Sequence, residues 1–290
     1  MTNRVTQEGP FYRELLESSL SDDSSSLDKR WVASALLKVE IGEEKAGMVE
    51  RYIALAGKRV LDIGCGDGGI SIAFARRGAI VTGIDCDQNR IKRAKVWAQE
   101  HGVTVDFRVE DGERAQAGAE SFDLLICNAV IEHVHDPRKL VEEMSRLLKA
   151  GGLLFLDTPN KHSVIQFISD THFGLFGISM LPRALAEFYV VRVRKKHNRY
   201  PVDELRTYGF LKKICRENNI IFLEDANIRQ LQSEIINPEL VRERNDRRAK
   251  AIRLVQRLHL AGVARQFVGG VFYRHFVTSG WSLVCRKVKE

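Results

Sequence analysis

Two hydrophobic periods alternate along the first half of this chain. Compact apolar runs fall at 59–63, 80–84, 103–109, 122–127 and 153–157. Runs of this length, rich in Val, Ile, Leu and Phe, predict strands. Between them, segments 69–77, 88–101 and 137–148 place apolar residues three and four apart, which predicts helices. Strands separated by helices of this length predict a parallel sheet with crossover helices. Leu124-Leu-Ile-Cys127 and Leu153-Leu-Phe-Leu156 are apolar throughout, as expected of strands covered on both faces. Upstream, 11–20 predicts a short helix. A Ser/Asp-rich linker follows at 19–26, and then a helical stretch over 31–56 that Gly42 is expected to break in two.

Past Asn160 the period is lost. Residues 161–200 mix apolar and basic residues. A helix is predicted over 202–218, a strand over 220–223, a basic segment over 226–277 with a helical core at 242–260, and a last strand over 281–286. This divides the chain into N-terminal helices and a polar linker (1–44), a core (45–160), an insertion (161–200) and a C-terminal completion of the sheet (201–290). No internal repeat is visible.

Composition narrows the class. Of 290 residues, 44% are hydrophobic and 29% charged, ordinary for a soluble globular protein. The first residues form no apolar signal run, and no stretch of 18 apolar residues exists to span a bilayer. Five cysteines with no C-x-x-C spacing read as free thiols in a reducing compartment, so a cytoplasmic protein without a metal site is expected. Charge is uneven. Residues 181–290 carry 23 Lys/Arg against 11 Asp/Glu, which leaves the first 180 residues net acidic. A basic second half suits an anionic partner; a solvated basic helix is the plainer reading.

The chemistry concentrates in Val60-Leu-Asp-Ile-Gly-Cys-Gly-Asp-Gly-Gly69. Gly64, Gly66 and Gly69 fit G-x-G-x-x-G between a strand and a helix. Such a turn lets backbone approach a ligand, with a helix N-terminus behind it. Asp85, closing the next strand, is placed to accept from both ribose hydroxyls. These residues alone suit NAD and S-adenosylmethionine alike. Asp62, two residues before the first glycine, favours a ligand that carries an ammonium group. Asp111, after the third strand, can accept from an adenine amino group.

With Asp85, Asp111, Phe122-Asp123 and Leu148–Gly152 added to the glycine turn, the sequence resembles the class I S-adenosylmethionine-dependent methyltransferases over roughly residues 45–160. Asn128-Ala-Val-Ile-Glu-His-Val-His-Asp-Pro137 is similar to the signature of the ubiquinone-pathway O-methyltransferases and their small-molecule and glycan-modifying relatives. The resemblance implies an α/β fold: a seven-stranded, mostly parallel Rossmann-like sheet with helices on both faces, an antiparallel last strand and a helical lid. It also implies roles. Gly64, Cys65 and Gly66 line the methionine part, with Asp62 near its ammonium. Asp85 holds the ribose and Cys86 lies against the adenine. Asp111 and Gly112 meet the adenine edge, and Asn128 and Val130 face the sulfonium.

A hydroxyl acceptor must lose its proton, and His133, with His135 second, is the candidate base. The plainer reading has Glu132 and His133 only holding the loop. Ala129 stands where some ubiquinone-pathway enzymes carry a further Glu, which weakens the case for a metal and for a quinone precursor. Apolar residues at 163–168 and 173–182, followed by the basic run 189–196, suit an anionic membrane surface or a lipid-linked acceptor. An ordinary lid core is the alternative. The expected partner is therefore a small-molecule, lipid-linked or glycan acceptor at the inner membrane face. Nucleic acid is disfavoured by the scarcity of stacking aromatics in the basic segment. A soluble natural-product or sugar methyltransferase, an NAD-dependent oxidoreductase and a non-catalytic interaction module are the competing readings.

Overall fold

The computed structural model describes residues 9–21, 35–170, 173–194, 202, 204–242 and 246–289. The strands are β1 (Arg59–Ile63), β2 (Ile80–Asp85), β3 (Asp106–Val109), β4 (Phe122–Asn128), β5 (Leu148–Pro159), β6 (Ile220–Asp225) and β7 (Gly280–Lys287). They form one sheet in the order β3-β2-β1-β4-β5-β7-β6. β7 runs antiparallel to both neighbours and every other pairing is parallel. The strand order reverses beside β1, so β1 and β4 diverge into separate crossovers, and their carboxyl ends open a crevice there. The expected α/β sheet is thus observed.

The helices are α1 (Pro10–Ser21), α2 (Lys38–Val49), α3 (Gly69–Arg76), α4 (Gln88–Glu100), α5 (Pro137–Leu147), α6 (Val164–Ile168), α7 (Arg183–Glu187), α8 (Tyr208–Glu217), α9 (Ala226–Ile236), α10 (Arg247–Arg257) and α11 (Ala261–Gly269). Local chemistry sets their starts. Asp87 and Asp136 accept from the free N–H groups that open α4 and α5, and Pro137 pre-sets the first turn of α5. One face of the sheet packs Leu61, Leu125 and Leu154 against α5 and α8. The other packs Val60, Leu124 and Phe155 against α2 and α3. α1 joins at the rim, where the Phe11 and Trp97 rings stack with centroids 4.1 Å apart.

Several boundaries differ from the sequence reading. Gly42 does not break the helix; α2 runs through it and through the division drawn between residues 44 and 45. A Cβ on Gly42 would sit 2.7 Å from the Ala73 Cβ, so the glycine serves close packing of α2 on α3. The first residues of the 31–56 stretch, Trp31 among them, lie outside the described residues. The 202–218 helix begins only at Tyr208, because the Thr207 hydroxyl caps it. The basic 242–260 segment is helical over Arg247–Arg257, started by Asp246. β5 extends to Pro159 and β3 starts only at Asp106.

The 161–200 insertion packs Phe173, Leu175, Ile178, Ala186 and Val190 into a small core that Val202 and Leu205, just beyond it, complete. Val164, Ile165, Phe167, Ile168, Phe176, Met180, Leu181, Leu185, Phe188 and Val193 remain exposed around it. The basic residues at 195–196 lie outside the described residues.

Candidate cofactor and acceptor site

Four strand ends converge at the crevice. Ile63 aligns with Ile84 of β2 and with Cys127 of β4, and Asp85 aligns with Val109 of β3. Gly64, Gly66 and Gly68 follow β1 in the left-handed region, with φ of 66°, 55° and 83°. That conformation, cheap only for glycine, turns the chain sharply into α3. Space demands it as well. A Cβ on Gly64 would lie 2.4 Å from Val130 Cγ2, and one on Gly112 would lie 2.5 Å from Ile63 Cγ2. The glycines thereby bring Val130 and the Asp111–Gly112 loop onto the turn.

The carboxylates around this turn have distinct environments. Asp62 is buried beneath it and accepts from the Ser71 hydroxyl at 2.6 Å. Burial pushes its carboxyl up to about 7, and the nearby Asp85 charge adds to the rise; the Ser71 hydrogen bond and the Lys38 charge oppose it. Asp85 Oδ2 accepts from the Gly66 N–H at 2.9 Å and Oδ1 from the Asp87 N–H at 2.9 Å, so the acid is fixed at the end of β2. Asp67 pairs with Arg93 of α4 at 2.7 Å and fastens the turn from the other side. Asp111 is exposed and accepts from the Glu113 N–H at 2.9 Å, the capping geometry that orders its loop.

Cys65 contributes backbone. Its N–H donates to the Ile84 carbonyl at 3.0 Å, while its sulfur faces inward, 3.1 Å from where a Cβ on Gly83 would stand. Burial raises the thiol well above its ordinary value, as it does for Cys127 and Cys285. Cys86 is exposed beside Asp85; partial burial, then the Asp85 charge, raises it too. None of these sulfurs has the depressed pKa of a nucleophile.

The loop after β4 splits its residues between inside and outside. Asn128 and Val130 are half-buried, and Ala129, at φ 54°, donates its N–H to the Asp157 carbonyl at 2.8 Å. Glu132 is fully buried, accepts from the Thr158 hydroxyl at 3.2 Å, and is pushed up to about 7 by burial. That hydrogen bond ties the loop to β5. His133 and His135 are exposed on the same loop.

Sequence reasoning missed the part played by α2. Lys45 reaches Asp157 at the end of β5, 2.7 Å away and largely shielded, and Ser282 of β7 bonds the same carboxylate. Lys38 lies over Gly69, where a Cβ would meet its Cβ at 2.5 Å. Burial, then the Lys45 charge, lower its pKa. Asp157 could have been suspected as an acid ending a strand; no local pattern marks the lysines.

The residues fit S-adenosylmethionine. The cradle would be filled by any Cβ at Gly64, its floor is acidic where an ammonium would sit, and Asp85 closes the strand that would hold a ribose. Among the described residues, no three His, Cys, Asp or Glu side chains converge as metal ligands.

Comparison with known proteins agrees. Residues 61–156 match the family model described as a methyltransferase domain. A ubiquinone biosynthesis O-methyltransferase of Coxiella burnetii is 40% identical over 114 residues, covering 39% of this chain and 49% of that protein. One of Chromobacterium violaceum is 37% identical over 152 residues, 51% of this chain and 64% of that protein. The chain thus spans about half to just under two thirds of the curated relatives it matches. The solved S-adenosylmethionine-dependent methyltransferase of Mesorhizobium loti superposes with a TM-score of 0.53 at 16% identity, over 86% of this chain and 99% of that one, which shows a shared fold.

Proposed function

Taking as premise that this chain carries a class I S-adenosylmethionine-dependent methyltransferase domain, we propose that it methylates an oxygen of a small-molecule, lipid-like or glycan-linked acceptor at a membrane surface. The observation that carries the cofactor half is the buried Asp62 beneath the Gly64–Gly66 turn, with Asp85 fixed beside it. Together they form an acidic floor matched to a cationic amino acid and a ribose. Bound S-adenosylmethionine supplies an electrophilic methyl group, so the protein's task is chiefly to position the acceptor. In this reading Asp62 meets the ammonium, the backbone of Gly64, Cys65 and Gly66 lines the methionine part, and Asp85 holds the ribose. Cys86, Asp111 and Gly112 flank the adenine, and Asn128 and Val130 bound the reacting end.

Two observations support the acceptor half. The named relatives act in ubiquinone biosynthesis, and the insertion that follows β5 exposes ten large apolar side chains, with Arg183, Arg192 and Arg194 among them. An apolar ridge bearing arginines suits an anionic membrane surface. No helix among the described residues is long and apolar enough to cross a membrane, so the contact proposed is peripheral. His133 is the proposed base, with His135 second; Glu132, buried under the loop, positions it.

Thermal unfolding tests the cofactor half. S-adenosylhomocysteine raises the melting temperature and NAD does not; the reverse pattern sinks the assignment. His133→Ala lowers turnover while S-adenosylhomocysteine affinity holds. Full turnover in that variant with the true acceptor removes His133 as the base.

A further inference from the structure

A cleft of about 510 Å³ opens at the carboxyl end of β6, between α9 and α11. β6 is parallel to β1, so the cleft lies on the same edge of the sheet as the glycine turn, four strand spacings away, about 19 Å. No residue of the site described above lines it. Its polar lining includes Asp225, Arg229, Gln232, Ser233, Arg265 and Arg274.

The charges there are unequally committed. Arg229 pairs with Glu224 at 2.6 Å. Asp225, only 6% exposed, uses Oδ1 to cap α9 through the Asn227 and Ile228 N–H groups. Its Oδ2 is buried without a hydrogen-bond partner among the described residues. Burial pushes this carboxyl up to about 6, against the backbone N–H groups of Ile228, Ser282 and Asn227 and, least, the Arg274 charge. The Arg274 guanidinium lies over the Tyr208 ring, 5.5 Å from its centroid, and its Nε is likewise buried and unpartnered among the described residues. That arginine is fixed in place, because its carbonyl accepts from Trp281 Nε1 at 2.9 Å. Arg265 arrives on α11, which closes on α9 tightly enough that a Cβ on Gly269 would meet Gln232 Nε2 at 2.5 Å. Its exposed guanidinium has no ion pair or hydrogen bond among the described residues.

Leaving a buried donor or acceptor unmatched is costly. A ligand offering both an oxyanion and a hydroxyl answers both groups. The guanidinium fork matches phosphate oxygens, and three arginines against Glu224 and Asp225 leave the cleft one net positive charge. We propose that this cleft binds a phosphate ester of a polyol, with Arg265 and Arg274 on the phosphate oxygens and Asp225 accepting from a hydroxyl. Its place on the cofactor edge makes it an anchor for the far end of an extended acceptor. That anchoring role rests on the methyltransferase reading; the binding itself does not.

The test is calorimetric titration of the full chain, without cofactor, at about physiological ionic strength, where surface attraction is screened within about 8 Å. The probes are sn-glycerol 3-phosphate and glycerol, and phosphatidylglycerol vesicles are assayed by co-sedimentation beside phosphatidylcholine controls. Glycerol 3-phosphate binds and glycerol does not. Arg265→Gln weakens binding at least tenfold, whereas Lys250→Gln, outside the cleft, leaves it unchanged. Both variants keep the wild-type thermal shift with S-adenosylhomocysteine, which certifies folding. Vesicle binding that needs Arg265, with no response to glycerol 3-phosphate, assigns the same chemistry to a lipid headgroup. Silence from both probes, or binding that ignores Arg265→Gln, overturns the proposal. Loss of the S-adenosylhomocysteine shift in wild type with phosphate binding intact sinks the methyltransferase reading and leaves this one standing.

Discussion

Asp62 links cofactor affinity to pH. Burial holds its carboxyl at about 7, so near neutrality only about half the molecules carry the charge that an ammonium group prefers. If the bound ammonium selects the ionised form, affinity scales with the ionised fraction. That fraction is about one in eleven at pH 6 and about ten in eleven at pH 8. S-adenosylhomocysteine therefore binds about tenfold more tightly at pH 8 than at pH 6, about 1.4 kcal/mol. Calorimetry in two buffers of different ionisation enthalpy reads the same coupling as proton release at pH 7. Asp62→Asn flattens the profile and weakens binding at pH 8, since a hydrogen bond to a charged group contributes about 1.5–3 kcal/mol. Glu132 titrates in the same window, so the aspartate variant is the decisive arm. A wild-type affinity independent of pH, or an Asp62→Asn profile parallel to wild type, refutes the reasoning.

Other outcomes follow from single features. Glu132 ionises at its ordinary value when unfolded and only near 7 when folded, so its contribution to stability is intact below about 4.5 and is lost as pH rises towards 7 and beyond. Glu132→Gln is therefore more stable than wild type at pH 8 by up to about 3 kcal/mol and close to equal at pH 4, as urea titrations at the two pH values would read. Gly64→Ala places a methyl 2.4 Å from Val130 at a positive φ; it costs about 1–3 kcal/mol in denaturant unfolding and abolishes the S-adenosylhomocysteine shift. Replacing Phe176 and Phe188, 66% and 59% exposed, by serine lowers co-sedimentation with anionic liposomes while leaving the melting temperature in place. Wild-type protein that fails to co-sediment even at low salt removes the membrane contact.

Much of the core was legible because its signals are local. The β4 and β5 runs are apolar through and through since both faces are covered, and that composition reads directly as buried strands. The glycine turn is equally plain, because backbone at φ 55–83° beside Val130 admits little else. Gly42 shows the limit. As a local residue it looks like a helix breaker, but the contact that explains it is with Ala73, on another helix. Lys38 and Lys45 could not be placed over the crevice, since their roles depend on how α2 docks. The insertion misled differently: its apolar residues carry no period, so nothing local separates Phe173, which is buried, from Phe176, which is not.

The sequence by itself determined the alternation of strands and helices, the sharp turn after β1 and the acids at the strand ends, because each follows from residue types a few positions apart. Tertiary structure decided the electrostatics. It sank Asp62 and Glu132 where burial outweighs their hydrogen bonds, left His133 at the surface, and brought α2 across the crevice. It also assembled Asp225, Arg265 and Arg274 from three separate segments into one cleft. Desolvation and long-range packing depend on what surrounds a group in space, and spacing along the chain does not encode that.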